Sequence, residues 1–552
     1  MADKANTSAG KILHNSFWFG LETVLETVVF LGTSIAVARY LGPVKLGEYT
    51  YINFFVTTVT RTSGTGLAGA TRKYMSEFLG AGRPGTARAV YHLAYRYQLL
   101  ASIMITALGL LSVLFFGEPM YHWMSAILIL SIVPGVMSWV PAQANQAFED
   151  VYENTLSALG YIVTYAIIIG LTLHNHWDLI GIASAQLIGR SVEVALRTIP
   201  LHLRLRRIPL DELEQGIIDR IRQFCLQAVG IQLLMSIVWD RSELVFLKIF
   251  SDLRQIAFYS VSFTLANNLL VVPRVFGNAT GITLMVESAR EPGRIDNIIK
   301  NACRFLLLVV FPVHLGAAAI AAQALGIAYG NKYLEAIPVV MIASILSIPR
   351  AFQELAEVLL RAADRQKNIL IWFSITGIIN IALDSVLIPH DHMIHRDFWM
   401  SHFGAAGAAW ADRIASMIPV EGAVGAAWGN GLSQTFGIIA IWIQARRFYS
   451  FSFPFQTAMR MLAAGLGMSA VAYYVVRLLP GPGGLTTALI ASAVTYIVLV
   501  KLFRGLQSGD RPRLALIADR LPASLRRVFL ALVTFATPNP VSPLERERIY
   551  PG

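Results

Sequence analysis

The sequence predicts an all-α polytopic membrane protein with about fourteen transmembrane helices. Of its 552 residues, 55% are hydrophobic and only 14% are charged, whereas soluble domains carry roughly 25% charged residues. The mean hydropathy is +0.56, and apolar runs of about 20 residues, enough to cross a bilayer, recur along the chain. Because such a chain cannot supply polar surfaces for several soluble domains, the composition excludes secreted, disordered and nucleic-acid-binding classes.

The apolar segments form a group of six, a second group of six and a final pair. Helices satisfy their own backbone hydrogen bonds in lipid, and these segments are too long for barrel strands. The first contains Glu22 and Glu26, so it is predicted to be a retained helix rather than a cleaved signal peptide. The segments lie at residues 15–39, 48–71, 89–116, 121–147, 155–174, 179–201, 225–250, 256–285, 301–326, 333–360, 368–389, 422–445, 457–479 and 485–503.

Lysine and arginine are concentrated in alternate short connections. Arg72 and Lys73 follow the second segment, and Arg204, Arg206 and Arg207 follow the sixth. Because cytoplasmic loops carry the excess of basic residues, both termini are predicted to be cytoplasmic. The net charge of +11 is therefore better explained by anionic lipid headgroups than by nucleic acid.

Short motifs recur in the same order in the two groups of six segments. Arg61-x-x-Gly64 in the second segment matches Arg274-x-x-Gly277 in the eighth, which is typical of duplicated transporter halves. The predicted domains are a six-helix lobe at 1–201, a basic amphipathic linker at 202–222, a second six-helix lobe at 223–447 with an enlarged external loop at 390–421, two additional helices at 448–504 and a basic cytoplasmic tail at 505–552.

Charged side chains inside apolar segments are costly and are therefore candidate functional residues. Arg61 and Arg274 occupy equivalent places in the two groups, and Asp240 and Arg241 lie in the seventh segment. The planar guanidinium binds phosphate oxygens bidentately, so these residues predict a cavity that accepts an anionic headgroup. The alternative is that the arginines form static ion pairs with acids such as Glu22.

A second interpretation assigns Glu22, Glu26 and Glu243 to proton or sodium coupling, because buried carboxylates act as proton relays in pumps. The histidines and aspartate of the external loop, His390, His392 and Asp397, invite a zinc interpretation, but their spacing fits no structural zinc pattern. No phosphate-binding loop or nucleophile elbow occurs in the sequence. We therefore predict no catalytic residue, no metal and no cofactor.

Residues 36–49 read AVARYLGPVKLGEY and resemble the first-loop signature of bacterial polysaccharide flippases. In that family an Ala-Arg-x-Leu-Gly-Pro run is followed by Phe/Leu-Gly-x-Tyr. Residues 66–74, 239–241 and 257–259 are also similar to that family, and the resemblance covers about residues 11–505. The first 80 residues and the seventh and eighth segments carry its strongest motifs.

The resemblance implies membership of the multidrug/oligosaccharidyl-lipid/polysaccharide exporter superfamily, with an O-antigen flippase-like role. The implied fold is two six-helix lobes in a V around a central cavity, and the implied mechanism is alternating access. The implied substrate is an oligosaccharide on undecaprenyl diphosphate, moved to the outer leaflet of the cell inner membrane for lipopolysaccharide or another surface polysaccharide. The family's cavity charges fall on Arg61, Asp240, Arg241 and Arg274.

In this hypothesis Arg61, Arg241 and Arg274 hold the diphosphate, and Trp239, Asn267 and Asn268 contact sugars. Expected partners are the lipid-linked oligosaccharide, membrane lipids, a polysaccharide polymerase and chain-length proteins, but no nucleic acid. One alternative is a cation-coupled multidrug exporter of the same fold. Another, from a different class, is an integral-membrane polysaccharide polymerase or glycosyltransferase.

Overall fold

The computed structural model describes residues 2–239, 242–290, 292–363, 365–389, 400–401, 403–409, 422–507, 509–518 and 523–537. Within these ranges the chain forms helices and short connections and no strand. The helices form two compact units. One comprises Met1–Ser260 with Asp384–Gly422, and the other comprises Val261–Leu383 with Ala423–Gly552.

The first unit is built mainly from the N-terminal helices. Its longest element, α1, is broken at Gly42, whose φ of 70° favours glycine, and Pro43 follows. The break separates the first two predicted segments. The helices are α1 (Ala2–Gly80), α2 (Pro84–Phe116), α3 (His122–Leu130), α4 (Ile132–Met137), α5 (Trp139–Ala147), α6 (Val151–Asn175), α7 (Asp178–Leu205), α8 (Gln215–Trp239), α9 (Glu243–Phe250) and the start of α10 (Leu253–Leu269).

The second unit contains the rest of α10 and the helices that follow it. Its longest helix, Ile295–Ala328, contacts the helix Phe455–Leu478 extensively. Most of the helix Gln366–Leu387 belongs to this unit, and its residues from Asp384 onward belong to the first unit. The helices are α11 (Val271–Arg290), α12 (Ile295–Ala328), α13 (Ile337–Leu346), α14 (Gln353–Ala362), α15 (Gln366–Leu387), α16 (Gly422–Ala445), α17 (Phe455–Leu478), α18 (Pro482–Leu502), α19 (Asp510–Ala518) and α20 (Ala523–Ala536).

The predicted polytopic, all-α architecture is confirmed. Within the described residues, ten helical stretches are long and apolar enough to cross a membrane, or eleven if α10 and the start of α11, bent by 42°, form one span. One of the ten, Glu22–Gly80, contains both of the first two predicted segments. The protein is therefore a multi-pass membrane protein.

The predicted fourth segment is one span made of three short helices. The chain turns between α3 and α4 at Ser131, and between α4 and α5 at Ser138. Pro134 and Pro141 lie in the first turns of α4 and α5, where the missing N–H costs least. The two breaks bring serine hydroxyls and a run of polar side chains into the interior of the first unit.

A buried cluster fixes the end of α1 against its neighbours. Tyr74 and Met75 of α1 pack in one apolar core with Tyr91 of α2, Val140 of α5 and Leu201 of α7. Ile217 and Ile221 add the start of α8 to this core. The predicted linker at 202–222 is thus helical at both ends, with a connection between Leu205 and Gln215. The predicted domain boundaries themselves stay predictions.

Gly47 of α1 lies against the backbone at the start of α10. A Cβ atom at this position would lie 1.8 Å from the carbonyl oxygen of Leu253, which neither helix can accommodate without moving. We therefore expect Gly47→Ala to lower the free energy of unfolding by about 1–3 kcal/mol. The measurement is the fraction of detergent-purified protein that remains monodisperse after heating. Gly32→Ala on the same helix, where a Cβ meets nothing within 4 Å, is the control; equal behaviour of the two variants would contradict this packing.

Candidate functional site

A polar cavity of about 320 Å³ lies inside the first unit, among α1, α4, α5, α6 and α7. Its charged lining residues are Glu22, Arg61, Arg190, Glu193 and Arg197. Hydroxyl and amide groups complete the polar lining; they belong to Thr57, Thr60, Ser131, Ser138, Gln143, Gln146, Asn154 and Gln186. Polar groups are rarely gathered inside membrane-spanning helices unless they serve a ligand or one another.

Glu193 of α7 is the centre of the charged network. Its carboxylate accepts hydrogen bonds from Arg190 at 2.7 Å and from Ser138 at 3.1 Å. It also pairs with Arg197 at 2.9 Å. The three charged residues are spaced i, i+3 and i+7, so they lie on one face of the helix. One buried carboxylate thus neutralises one of two guanidinium groups.

Arg197 is almost fully buried and ties three helices together. Its Nε donates to the hydroxyl of Ser157 at 2.9 Å. Its other nitrogens donate to the Ser138 carbonyl at 3.3 Å and the Asn154 carbonyl at 3.4 Å, and also to the Ser138 hydroxyl. A buried guanidinium is tolerated when its five N–H groups find acceptors. The result is a rigid junction between α7, α6 and the break before α5.

Arg190 and Arg61 present charge to the open part of the cavity. The side chain of Arg190 is 37% exposed, and its guanidinium stacks over the ring of Tyr161 at 4.2 Å. Arg61 is exposed and lines the cavity from α1. One turn further along α1, Gly64 permits close packing, because a Cβ there would lie 2.8 Å from the indole of Trp139.

The cavity is net cationic. Three arginines and two glutamates line it, which leaves one positive charge when all five are ionised. Glu22 accepts a hydrogen bond from the Thr155 hydroxyl at 2.9 Å. A positive charge inside an apolar region attracts anions strongly because water does not screen it. The arrangement can therefore bind an anionic polar group with guanidinium, amide and hydroxyl donors.

Two of the predicted site residues, Arg61 and Glu22, lie together in this cavity. Glu26 lies one helical turn beyond Glu22 and is not part of the cavity lining. Glu243, the first residue of α9, is fully buried in the same unit, within electrostatic range of buried Asp384.

Other predicted residues lie in the second unit or outside the described residues. Arg274 of α11 is exposed and donates a hydrogen bond back to the side-chain oxygen of Asn267 across the break between α10 and α11. Asn268 is partly buried beside it. Asp240 and Arg241 lie outside the described residues, and Trp239 ends α8 with its side chain outside them.

The cavity lining also contains residues that were not predicted from the sequence: Ser138, Gln143, Gln146, Gln186 and Arg197. A signal was present for Arg197, because it extends the Arg190–Glu193 face by one turn. Gln143 and Gln146 lie on α5, beyond the break at Ser138, and Gln186 lies on α7 one turn before Arg190. Among the described residues, no group of three or more His, Cys, Asp or Glu side chains is arranged to hold a metal ion. The predicted His390, His392 and Asp397 lie outside those residues.

Comparison with known families identifies the class of protein. The profile of the family described as "Polysaccharide biosynthesis protein" matches residues 36–338, more than half of the chain. The chain belongs to the polysaccharide biosynthesis protein family. The match begins at the first residue of the motif at 36–49 and confirms the family predicted from it. A search of curated proteins found no match.

Solved structures of exporters and flippases share the fold of this family member. The chain aligns with lipid II flippase MurJ in an inward closed conformation at a TM-score of 0.67 and 12% identity, covering 88% of this chain and 98% of that one. It aligns with an inward-facing MATE multidrug resistance transporter of the MOP superfamily at a TM-score of 0.60 and 13% identity, covering 76% of this chain and 94% of that one. It aligns with a MOP superfamily transporter from Pyrococcus furiosus, described as having a binding pocket of reverse polarity, at a TM-score of 0.51 and 13% identity, covering 79% of this chain and 95% of that one. At these identities the likeness establishes the fold.

The ion-pair network predicts a large stability difference between two glutamates. Glu193→Gln would leave buried Arg197 without its counter-charge, which typically costs about 3–5 kcal/mol. The matched control is Glu77→Gln, because Glu77 pairs with Arg220 at 3.3 Å with both side chains exposed, and such pairs contribute within about 1 kcal/mol. The measurement is the fraction of detergent-purified protein that remains monodisperse after heating. A Glu193 variant as stable as the Glu77 variant would contradict the network.

Proposed function

We propose that this protein flips undecaprenyl-diphosphate-linked oligosaccharides from the cytoplasmic to the outer leaflet of the cell inner membrane by alternating access. The product would serve lipopolysaccharide or another cell-surface polysaccharide. Membership of the polysaccharide biosynthesis family and the fold shared with lipid II flippase MurJ support a lipid-linked saccharide as cargo. Support for an anionic cargo comes from the cavity itself.

The cationic cavity of the first unit carries the proposal. Glu193 neutralises one charge of Arg190 and Arg197, and Arg61 faces the same space. A diphosphate brings at least two negative charges, which suit the positive lining and the planar donor geometry of its guanidinium groups. The carboxylate of Glu22, held by Thr155, keeps the site from binding the anion too tightly to release it.

The rest of the lining suits the saccharide. Gln143, Gln146 and Gln186 offer both donors and acceptors to sugar hydroxyls, and Trp139 offers a ring face on which a pyranose can stack. In the second unit, Arg274 and Asn267 form a further donor pair, and we assign them to the same substrate with Arg241, Trp239 and Asn268. The prenyl chain stays in the lipid throughout, since none of these groups suits it.

The nearest alternative is a cation-coupled multidrug exporter. Its cavity would need carboxylates that attract cations, with Glu22, Glu26 or Glu243 as the coupling groups. The excess of arginine over glutamate in the lining favours an anionic cargo instead. The two functions differ in a simple measurement, because an exporter would confer drug resistance driven by a sodium or proton gradient.

A polymerase or glycosyltransferase is the alternative from another class. It would place acid–base residues in the enlarged loop at 390–421. Replacing His390, His392 and Asp397 by alanine should leave polymer length unchanged if the protein is a flippase, and should shorten the polymer if the loop is catalytic. We also propose that both termini are cytoplasmic and that polymerase and chain-length proteins act beside the flippase.

The proposal predicts the effect of removing two arginines. In a deletion strain complemented with Arg61→Ala/Arg274→Ala, surface glycan should fall to the level of the empty vector. Each lost charge-assisted hydrogen bond costs about 1.5–3 kcal/mol, so the pair weakens diphosphate binding by more than about a hundredfold. The readouts are surface glycan and lipid-linked oligosaccharide retained on the inner leaflet.

The control is Arg96→Ala/Arg477→Ala, which removes one exposed arginine from each unit outside the proposed site. It should restore wild-type glycan at equal expression. Undiminished glycan in the Arg61/Arg274 variant, at wild-type protein levels in the membrane, would refute the anion-binding role.

A further inference from the structure

An apolar groove of about 460 Å³ lies in the second unit, between α12, α16 and α17. Its walls are aliphatic and aromatic side chains, including Phe311, Phe352, Trp442 and Phe451. Several of its residues are also widely exposed: Ile443 by 57%, Phe455 by 70% and Met459 by 49%. The groove is therefore open along one side to the surroundings of the unit.

The connection from α16 to α17 forms one end of the groove. The ring of Phe451 packs edge-on against Trp442 at 5.3 Å, and Phe453 packs against Phe352 at 6.1 Å. These contacts fold the connection back over the groove. Arg446 and Phe451 also line a second, polar pocket, together with Tyr449, Ser450 and Ser452. An apolar groove and a polar pocket thus meet at Arg446.

Arg446 provides the charge at this junction. It is exposed, and among the described residues no carboxylate pairs with it. The acid of the polar pocket, Asp296, is already engaged: it accepts a hydrogen bond from the Ser452 backbone at 2.8 Å and pairs with Lys300 at 2.6 Å. Arg365 is stacked over Phe448 at 5.1 Å. The junction is therefore positive.

The position of Arg446 follows from α17, which is long and apolar enough to cross a membrane. α17 has 24 residues and is about 36 Å long at 1.5 Å per residue, slightly more than the hydrocarbon core of about 30 Å. Phe455, Met459 and Leu462 of the groove lie in the first turns of α17, so the groove lies at one end of this span. Arg446 lines the same groove and therefore lies at that end, close to the headgroup layer.

We propose that this groove and pocket form a binding site for an anionic diacyl phospholipid such as phosphatidylglycerol. One acyl chain fills the aromatic groove, the phosphate contacts Arg446, and the polar headgroup lies against Tyr449, Ser450 and Ser452. A zwitterionic lipid would bring a second positive charge beside Arg446, and the repulsion between the two charges would weaken its binding. The site is separate from the cavity of the first unit, and the inference does not depend on the transported substrate.

The test is native mass spectrometry of the full-length protein in detergent, titrated separately with dioleoylphosphatidylglycerol and dioleoylphosphatidylcholine. The wild type should bind the first molecule of phosphatidylglycerol about tenfold more tightly than the first molecule of phosphatidylcholine. A tenfold difference in affinity corresponds to about 1.4 kcal/mol, which one ion pair with Arg446 can supply. Arg446→Gln should abolish the preference, whereas Arg446→Lys should retain it. Arg447→Gln is the matched control, since Arg447 is the exposed neighbour that does not line either pocket; it should keep the preference.

A second variant tests the groove independently of the charge. Ile443→Trp fills the groove from its exposed side and should weaken both lipids to a similar extent. The assignment would be overturned by equal binding of the two lipids to the wild type, by loss of the preference in Arg447→Gln, or by unchanged binding in Ile443→Trp. It would also be overturned if undecaprenyl phosphate displaced phosphatidylglycerol at lower concentration, because the groove would then belong to a prenyl chain.

Discussion

The buried carboxylate of Glu193 is the interaction on which the first unit depends. It pairs with two arginines of the same helix, and through Arg197 it holds the broken fourth span and α6 against α7. Without this acid, the buried guanidinium of Arg197 would lose its counter-charge, and an unpaired buried charge is costly. With it, the helices can surround a polar cavity and still pack tightly.

The same compensation sets the chemistry of the cavity. Because Glu193 is shared by Arg190 and Arg197, the two glutamates of the lining do not balance its three arginines, and one positive charge is left. In the function we propose, this surplus selects an anionic ligand, and the amides around it bind sugar hydroxyls. The fold shared with MurJ and MATE proteins does not determine the charge of the ligand, since one fold can serve different functions. We attribute the preference to the side chains of this unit.

Sequence reasoning located the helices well because lipid imposes a simple rule: each span must be long and apolar. It also singled out Arg61 and Glu22, whose charges stand out in apolar runs and which both line the cavity. It missed Ser138 and the glutamines, because polar uncharged residues are common in packed membrane helices. Gln143 and Gln146 lie on α5 and Gln186 on α7, and only the fold brings them to one cavity. The groove at Arg446 could not be predicted from the sequence either, since its walls come from separate segments that only folding brings together.

The most direct test of the central claim is flipping in proteoliposomes. A fluorescent undecaprenyl-diphosphate-linked oligosaccharide is incorporated, and a membrane-impermeant quencher reports the fraction that reaches the outer leaflet. The wild type should make nearly all of the label accessible, and Arg61→Ala should leave about half protected, as in liposomes without protein. Equal quenching by Arg61→Ala and the wild type, at equal reconstitution, would show that the cationic cavity does not carry the diphosphate.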